Sequence, residues 1–280
     1  MNSNKATRLG VIALSVIMIF AGIFPASSRT PSKALRVASY NIRGNFERDG
    51  INQWKYRRDS LCKIILTYGF KVVGLQEAVP DQFDDIVRIT GYKSVGEPGL
   101  NNPIVYDGSR IEALDWGMFW LNEKGVPHEL SWDGKYERYC TWALMKDLKT
   151  RKKFYVFNTH LDHRGKVARE KGAERICSKA ASMSGGLPVI IMGDMNSWDN
   201  TTAYKTYVSH YSDARAVSPL VFGPRGTAHN FGGVHPVRID YFFVDPKVRI
   251  YEYNALDIVY GNDDFFPSDH YPIYIDVTFR

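Results

Sequence analysis

Cysteine is scarce in this chain: Cys62, Cys140 and Cys177 are the only three among 280 residues, and no CxxC spacing occurs. A disulfide-built scaffold and a zinc ribbon are thereby excluded, and Cys62 and Cys177 read as small core residues. An excess of one charge is also missing. Thirty-six Lys and Arg face thirty Asp and Glu, and the surplus of +6 permits an anionic substrate without demonstrating one. No internal repeat, low-complexity tract or Pro/Ser-rich linker follows residue 34, so a solenoid or a tethered pair of domains is not indicated. The signatures GxxxxGK[ST], GxGxxG after a first strand and GxSxG are absent. P-loop kinases, dinucleotide oxidoreductases and elbow-type serine hydrolases lose support accordingly. What is present, 44% hydrophobic and 24% charged residues, is ordinary globular composition and excludes long disorder, collagen and coiled coil.

The N-terminus reads as an address. Lys5 and Arg8 precede a fifteen-residue apolar run at 10–24, and Ala26, Ser27 and Ser28 supply small residues for cleavage after Ser28. The run is shorter than the roughly 20 residues of a membrane span. Residues 1–28 are therefore expected to be a signal peptide, with an uncleaved anchor as the alternative, and residues 29–280 the domain it delivers to the periplasm or the extracellular space. Cleavage removes two cations and no acid, lowering the charge from +6 to +4.

Beyond residue 34, short β-rich runs alternate with amphipathic stretches. Strands are expected at 35–40, 71–76, 141–145, 154–158, 189–192, 239–244 and 271–277. Leu61, Ile64 and Ile65 fall at helical spacing, as do Phe83, Ile86 and Val87, the latter between Pro80 and Gly91. Ala173, Ile176, Cys177 and Ala180 form a third stripe. One α/β domain is the simplest account. The basic cluster Lys146, Lys149, Arg151, Lys152 and Lys153 lies between two strand runs and reads as a solvated hairpin turn.

Polar residues sit where these runs end. Asn41 closes LRVASYN, Glu77 closes VVGLQE, His160 closes FYVFNTH and Asp194 closes VIIMGD. Asp240 lies in VRIDYFFV, and Asp269 and His270 stand before YPIYIDV. A single strand-terminal Asp or Asn is usually a turn former. A whole set drawn from Asn, Asp, Glu and His points instead to a ligand site at one sheet edge. Carboxylates and amide oxygens suit a hard cation, Mg²⁺ or Mn²⁺, and histidines beside carboxylates suit proton transfer. The combination fits phosphoryl chemistry.

With SYNIRG at 39–44, GLQE at 74–77, NTHLDH at 158–163, GDMNS at 193–197, RIDY at 238–241 and SDHYPI at 268–273, the chain resembles the endonuclease/exonuclease/phosphatase superfamily. The resemblance implies a DNase I-like fold of the α/β class, with two packed β-sheets flanked by helices in a four-layer αββα sandwich. It also implies phosphoester hydrolysis at a divalent-metal site. Glu77 is then the main metal ligand, with Asn41 and Asp269 contributing. Asp194 orients or deprotonates the attacking water, Asn196 holds a phosphate oxygen, and Asp240 sets the state of His270. His160 is a second phosphate-side histidine, and Arg138 and Tyr106 are further phosphate-side candidates. Asp194 and Asn196 share a face only if the backbone between them stays extended.

The implied substrate is a phosphoester (nucleic acid, lipid headgroup or phosphorylated small molecule). A phosphodiesterase or nuclease-like activity is favoured over a sugar- or inositol-phosphate phosphatase and a sphingomyelinase-like enzyme. No obligate protein partner is indicated. Two other readings compete. HLDH at 160–163 matches half of the zinc motif HxHxDH, but position 158 is Asn where the first His belongs. A binding module that kept the fold and lost activity would be expected to have lost some of these polar positions, and none is missing.

Overall fold

The computed structural model describes residues 30–234, 236–262 and 264–280. The expected signal segment, 1–28, lies outside the described residues.

In chain order the elements are β1 (Leu35–Asn41), a 3₁₀ turn (Glu47–Asn52), α1 (Trp54–Thr67), β2 (Val72–Gln76), α2 (Pro80–Thr90), β3 (Lys93–Val95), β4 (Ile104–Tyr106), β5 (Ile111–Trp120), β6 (Tyr139–Asp147) and β7 (Lys153–His160). There follow α3 (Lys166–Met183), β8 (Val189–Asp194), α4 (Thr202–His210), β9 (Ser212–Asp213), α5 (Ala214–Val217), β10 (Val221–Phe222), β11 (Asp240–Val244), β12 (Val248–Ala255) and β13 (Ile273–Phe279). Seven strands form one sheet, β10-β12-β13-β1-β2-β4-β3, and six form the other, β5-β6-β7-β8-β11-β9.

Hydrophobic runs in the central strands explain the layering. Alternate side chains of one strand serve different cores. Val37, Val156, Ile190 and Phe242 point between the sheets. Their neighbours Ala38 on one sheet, and Phe157, Ile191 and Phe243 on the other, pack outward. The outward face of the first sheet is covered by Leu61 and Ile65 of α1 and Ile86 of α2. The second is covered by Ala173, Ile176 and Cys177 of α3 and Tyr207 of α4. Strands buried on both faces read as nearly unbroken apolar runs. Each fully buried aliphatic or aromatic side chain contributes about 2 kcal/mol of burial free energy. The result is the four-layer αββα sandwich.

Polar residues lock the sheets together. Asn158 of β7 donates to the carbonyls of Leu75, Asn102 and Pro103 and accepts from Gln76 Nε2 at 2.7 Å. Gly74 of β2 makes room for it: a Cβ there would lie 2.6 Å from Asn158 Oδ1. Asn158, where a zinc motif would need His, is thus a buried inter-sheet clamp.

The strand set departs from expectation in instructive places. β5 and β12 carry bulges, between Ala113 and Asp115 and between Ile250 and Glu252, which break the alternation by which strands are recognised. β13 starts at Ile273 because Pro272 has no N–H to donate to a ladder. Helix α4 shows only Ala203 and Tyr207 as buried positions, too narrow a stripe to stand out. The basic cluster occupies the β6–β7 hairpin turn, as expected, with Lys146 opposite Lys153. All three cysteines are free and buried.

Candidate active site

Topology gathers the strand-end residues. β1 runs parallel to β2, and β7 parallel to β8, so their C-terminal ends share one edge of the sandwich. β11 and β13 run antiparallel to β8 and β1, so their N-terminal ends arrive at the same edge. His160 and Asp240 are both register partners of Asp194, one on each side.

Asp194 is the hub. Its Oδ2 lies 3.1 Å from Asn41 Nδ2, 3.4 Å from His160 Nε2 and 3.9 Å from His270 Nε2. Its Oδ1 accepts the backbone N–H of Asn196 at 2.9 Å. The other nitrogen of His270, Nδ1, is 2.8 Å from Asp240 Oδ2, and all three residues are buried. Asp240 is held in turn by Thr227, whose hydroxyl accepts the Asp240 N–H.

Burial and mutual charge set the protonation states. The Asp194 carboxyl is pushed up to about 7, first by burial and then by the Asp240 charge, against the pull of His270 and the hydrogen bonds from Asn196 and Asn41. Burial favours neutral His270, but Asp240, Asp194 and Asp269 together outweigh it and hold the imidazole well above its ordinary value. His160 moves the opposite way. Burial, then the charges of Arg138 and His270, keep it neutral. Two histidines in one site therefore carry different charges.

A second group of oxygens stands beside the hub. Glu77, one residue past β2, has a positive φ of 62° and is held by Asn41 Nδ2 at 3.2 Å and the Gly44 N–H at 3.0 Å. Asp269 is pushed up by burial and by the Glu77 charge and lies 3.5 Å from Arg43 Nη1. Glu77, Asp269 and the Asn41 carbonyl make an all-oxygen donor set, as a hard divalent cation requires. The like-charge repulsion they carry is what such a cation relieves. Asn41 presents its NH₂ to Glu77 and Asp194, while its Oδ1 accepts the Arg43 N–H at 3.0 Å. That oxygen keeps a second lone pair with which it could face a cation. Asp194, Asp240 and His270 also lie close enough to hold a metal ion, with ligand atoms within 4.8 Å of one another. One nitrogen of His270 is already committed to Asp240, so the oxygen set is the better hard-metal site.

The remaining expected residues divide. Arg138 is half-buried, lies among the charges of Asp194, Asp162 and Glu77, and among the described residues its Nε has no partner. Asn196 reaches the site, but not through an extended backbone. Its φ is 44°, and its Nδ2 donates to the Leu161 carbonyl at 2.9 Å. One amide hydrogen remains for a phosphate oxygen.

Tyr106 is a correction. It pairs with Val72, at the start of β2. That is five residues, about 16 Å, back from the Glu77 end, and the ring packs in the inter-sheet core. Its neighbours Asn102 and Pro103 lie nearer the site edge, and the antiparallel β4 carries Tyr106 away from it.

Sequence reasoning missed the supports. Arg57 of α1 is fully buried and donates to the carbonyls of Asn52, Ile42, Pro267 and Arg43, tying the chain after β1 to the loop before Asp269. An arginine on an amphipathic helix carries no local sign of this. His229, whose ring stacks 4.1 Å from Tyr271, gives its backbone N–H to the Asp269 carbonyl. Asp162 accepts N–H bonds from Lys135, Tyr136, Arg164 and Gly165, folding two loops around one carboxylate. It organises those loops; it is not a zinc ligand.

Comparison with known proteins agrees with this geometry. No curated protein matches the chain by sequence. Among solved structures, an endonuclease/exonuclease/phosphatase from Bacteroides vulgatus is 31% identical, with a TM-score of 0.84 over 88% of this chain and 99% of its own. Bacteroides thetaiotaomicron mannosyl-6-phosphatase is 29% identical, with a TM-score of 0.82 over 88% of this chain and 100% of its own. The human nocturnin catalytic domain is 19% identical, with a TM-score of 0.69 over 88% of this chain and 94% of its own, a likeness of fold alone. The model of the Endonuclease/Exonuclease/phosphatase family matches residues 38–270, a span that holds every residue of the hub and of the oxygen set. With two sheets, a buried His–Asp pair and that match in agreement, the chain belongs to the endonuclease/exonuclease/phosphatase family of phosphoester hydrolases.

Proposed function

We propose that the protein is an exported, divalent-metal-dependent hydrolase that cleaves the phosphomonoester of a small phosphorylated molecule. The observation that carries the chemistry is the buried His270–Asp240 pair beside Asp194: His270 Nδ1 is hydrogen-bonded to Asp240 Oδ2 at 2.8 Å, and its Nε2 stands 3.9 Å from Asp194 Oδ2, next to that carboxylate without bonding to it. A bound Mg²⁺ or Mn²⁺ would supply Lewis-acid polarisation of a phosphate oxygen, with Glu77 and Asp269 as its principal holders.

The residues of the chain do the rest. Asp194, raised toward neutrality, accepts the proton of the attacking water. His270, kept protonated by Asp240, donates an Nε2–H to a phosphate oxygen as negative charge builds there. Arg138 adds a guanidinium whose Nε has no partner among the described residues, and the second Asn196 amide hydrogen orients another phosphate oxygen. His160, neutral and beside Asp194, fixes that carboxylate.

Similarity to a mannosyl-6-phosphatase along the full length of that enzyme favours a monoester over the diester preference expected from motifs alone. Export rests on residues 1–28, and a secreted product beginning at Arg29 would support it.

The test is hydrolysis by the purified protein of a hexose 6-phosphate beside bis-p-nitrophenyl phosphate, with Mg²⁺, with Mn²⁺ and with chelator, and His270→Ala as control. Metal-dependent monoester cleavage, lost in the variant, is expected. Cleavage of the diester alone would replace the monoester reading with a phosphodiesterase.

A further inference from the structure

Past Asp194 and Asp240 the paired strands β8 and β11 continue as irregular chain, with the Met195 N–H donating to the Ile239 carbonyl at 2.8 Å. These continuations border a groove of about 660 Å³. Trp198 and Asn200 form one side, and residues 224–226 and 236–238 the other. The groove adjoins the reaction centre by chain connectivity: Trp198 is two residues beyond Asn196, and Arg238 two before Asp240. Gly226 lets the second wall assemble, since a Cβ there would lie 2.2 Å from the Pro236 carbonyl oxygen.

Trp198 is 57% exposed. A single exposed aromatic residue needs no explanation by itself. An indole lining a groove beside a phosphate site is different, because its electron-rich face is a platform for a ring with polarised C–H bonds.

Charge separates the ring-bearing partners. Arg225 is ion-paired with Asp199 inside the groove. Arg238 is held by both oxygens of Asp213, at 2.8 and 2.6 Å. Among the described lining residues no unpaired cation remains for a second phosphate. A polynucleotide backbone needs a track of free Lys and Arg. A pyranose is uncharged, offers a C–H face to the indole, and has hydroxyls that pair with the Asp199 carboxylate, the Arg225 guanidinium and the Asn200 amide.

We infer that this groove holds the sugar ring of a phosphorylated pyranose, with Trp198 as the stacking platform that determines specificity. The inference rests on the phosphoester-hydrolase reading above and deepens it.

The test compares wild type, Trp198→Ala and Trp198→Phe on glucose 6-phosphate, glycerol 3-phosphate and thymidine 5′-monophosphate. In Trp198→Ala the ratio of kcat/KM for the hexose phosphate to that for glycerol phosphate should fall about tenfold, the worth of one ring stack. Trp198→Phe should restore most of it. An unchanged ratio overturns the inference. So does a wild-type preference for the nucleotide that disappears in Trp198→Ala, which would make the groove a base platform. If wild type turns over none of the three, the hydrolase reading fails, and calorimetric titration with glucose 6-phosphate decides the groove separately. Binding weakened in Trp198→Ala upholds the sugar site, and binding that is absent or unchanged overturns it.

Discussion

Asp240 and Asp162 show how a buried carboxylate can serve different ends. Asp240 meets an imidazole and sets its charge, whereas Asp162 meets four backbone N–H groups and sets two loops. Replacing Asp240 with Asn should leave the fold intact and lower kcat by about 100-fold or more, because His270 loses the charge that keeps it protonated. Wild-type turnover in Asp240→Asn would remove the pair from the mechanism. For Asp162 the consequence is one of stability. Burial raises its pKa, but the N–H bonds from Gly165, Arg164, Lys135 and Tyr136 outweigh that and hold it below the usual carboxylate range. A depressed native pKa stabilises the fold above the unfolded value of about 3.9 and ceases to do so as pH falls through the native value. The stability gap between wild type and Asp162→Asn should thus be constant near neutrality and shrink in acid. Urea midpoints measured from neutral to acid pH would show it; a gap that persisted in acid would contradict the assignment.

Elements matter here through what ties their ends. Helix α1 was legible from Leu61, Ile64 and Ile65, all buried against the first sheet. Its function in the site was not, because Arg57 acts on carbonyls from residue 42 to residue 267. Arg57→Met removes a buried charge and its donors while keeping bulk, and should cost about 3 kcal/mol or more. It should also lower kcat at temperatures where the protein stays folded, since Asn41 and Asp269 sit on the two tethered loops. Thermal melts paired with single-temperature kinetics distinguish the effects, and full kcat in the folded fraction would reduce Arg57 to a structural residue. β5 and β12 were unreadable because their bulges interrupt a period of two. Tyr106 lies away from the site because β4 runs antiparallel to β2 and sets it opposite Val72, a direction that no local pattern in the sequence carries.

At the scale of the molecule, the candidate site is a seam between two sheets. Glu77, Asn41 and Asp269 belong to the first sheet's strands and loops, and His160, Asp194 and Asp240 to the second's. A cation on the oxygen set binds only the folded chain, because unfolding scatters its ligands. Free Mg²⁺ or Mn²⁺ at about a hundredfold above its dissociation constant should therefore stabilise the protein by roughly 2.7 kcal/mol. In Glu77→Ala this metal-dependent rise in Tm should disappear while the metal-free Tm stays close to wild type. An undiminished rise in the variant would move the metal elsewhere, with Asp194, Asp240 and His270 the next set to examine.

What the amino-acid sequence determined by itself was the chemistry available and where along each strand it stood. Apolar runs ending in Asn41, Glu77, His160 and Asp194 are local facts, set by side-chain type and a two-residue period. The tertiary structure alone decided which of these residues meet. Parallel and antiparallel pairing brought strand ends and strand starts to one edge. Burial there gave Asp194, His160 and His270 unlike protonation. It also decided what Asn158, Arg57, Asp162 and Trp198 are near, because hydrogen bonds between residues far apart in the chain, and the exposure of one indole, come into being only when the sheets close.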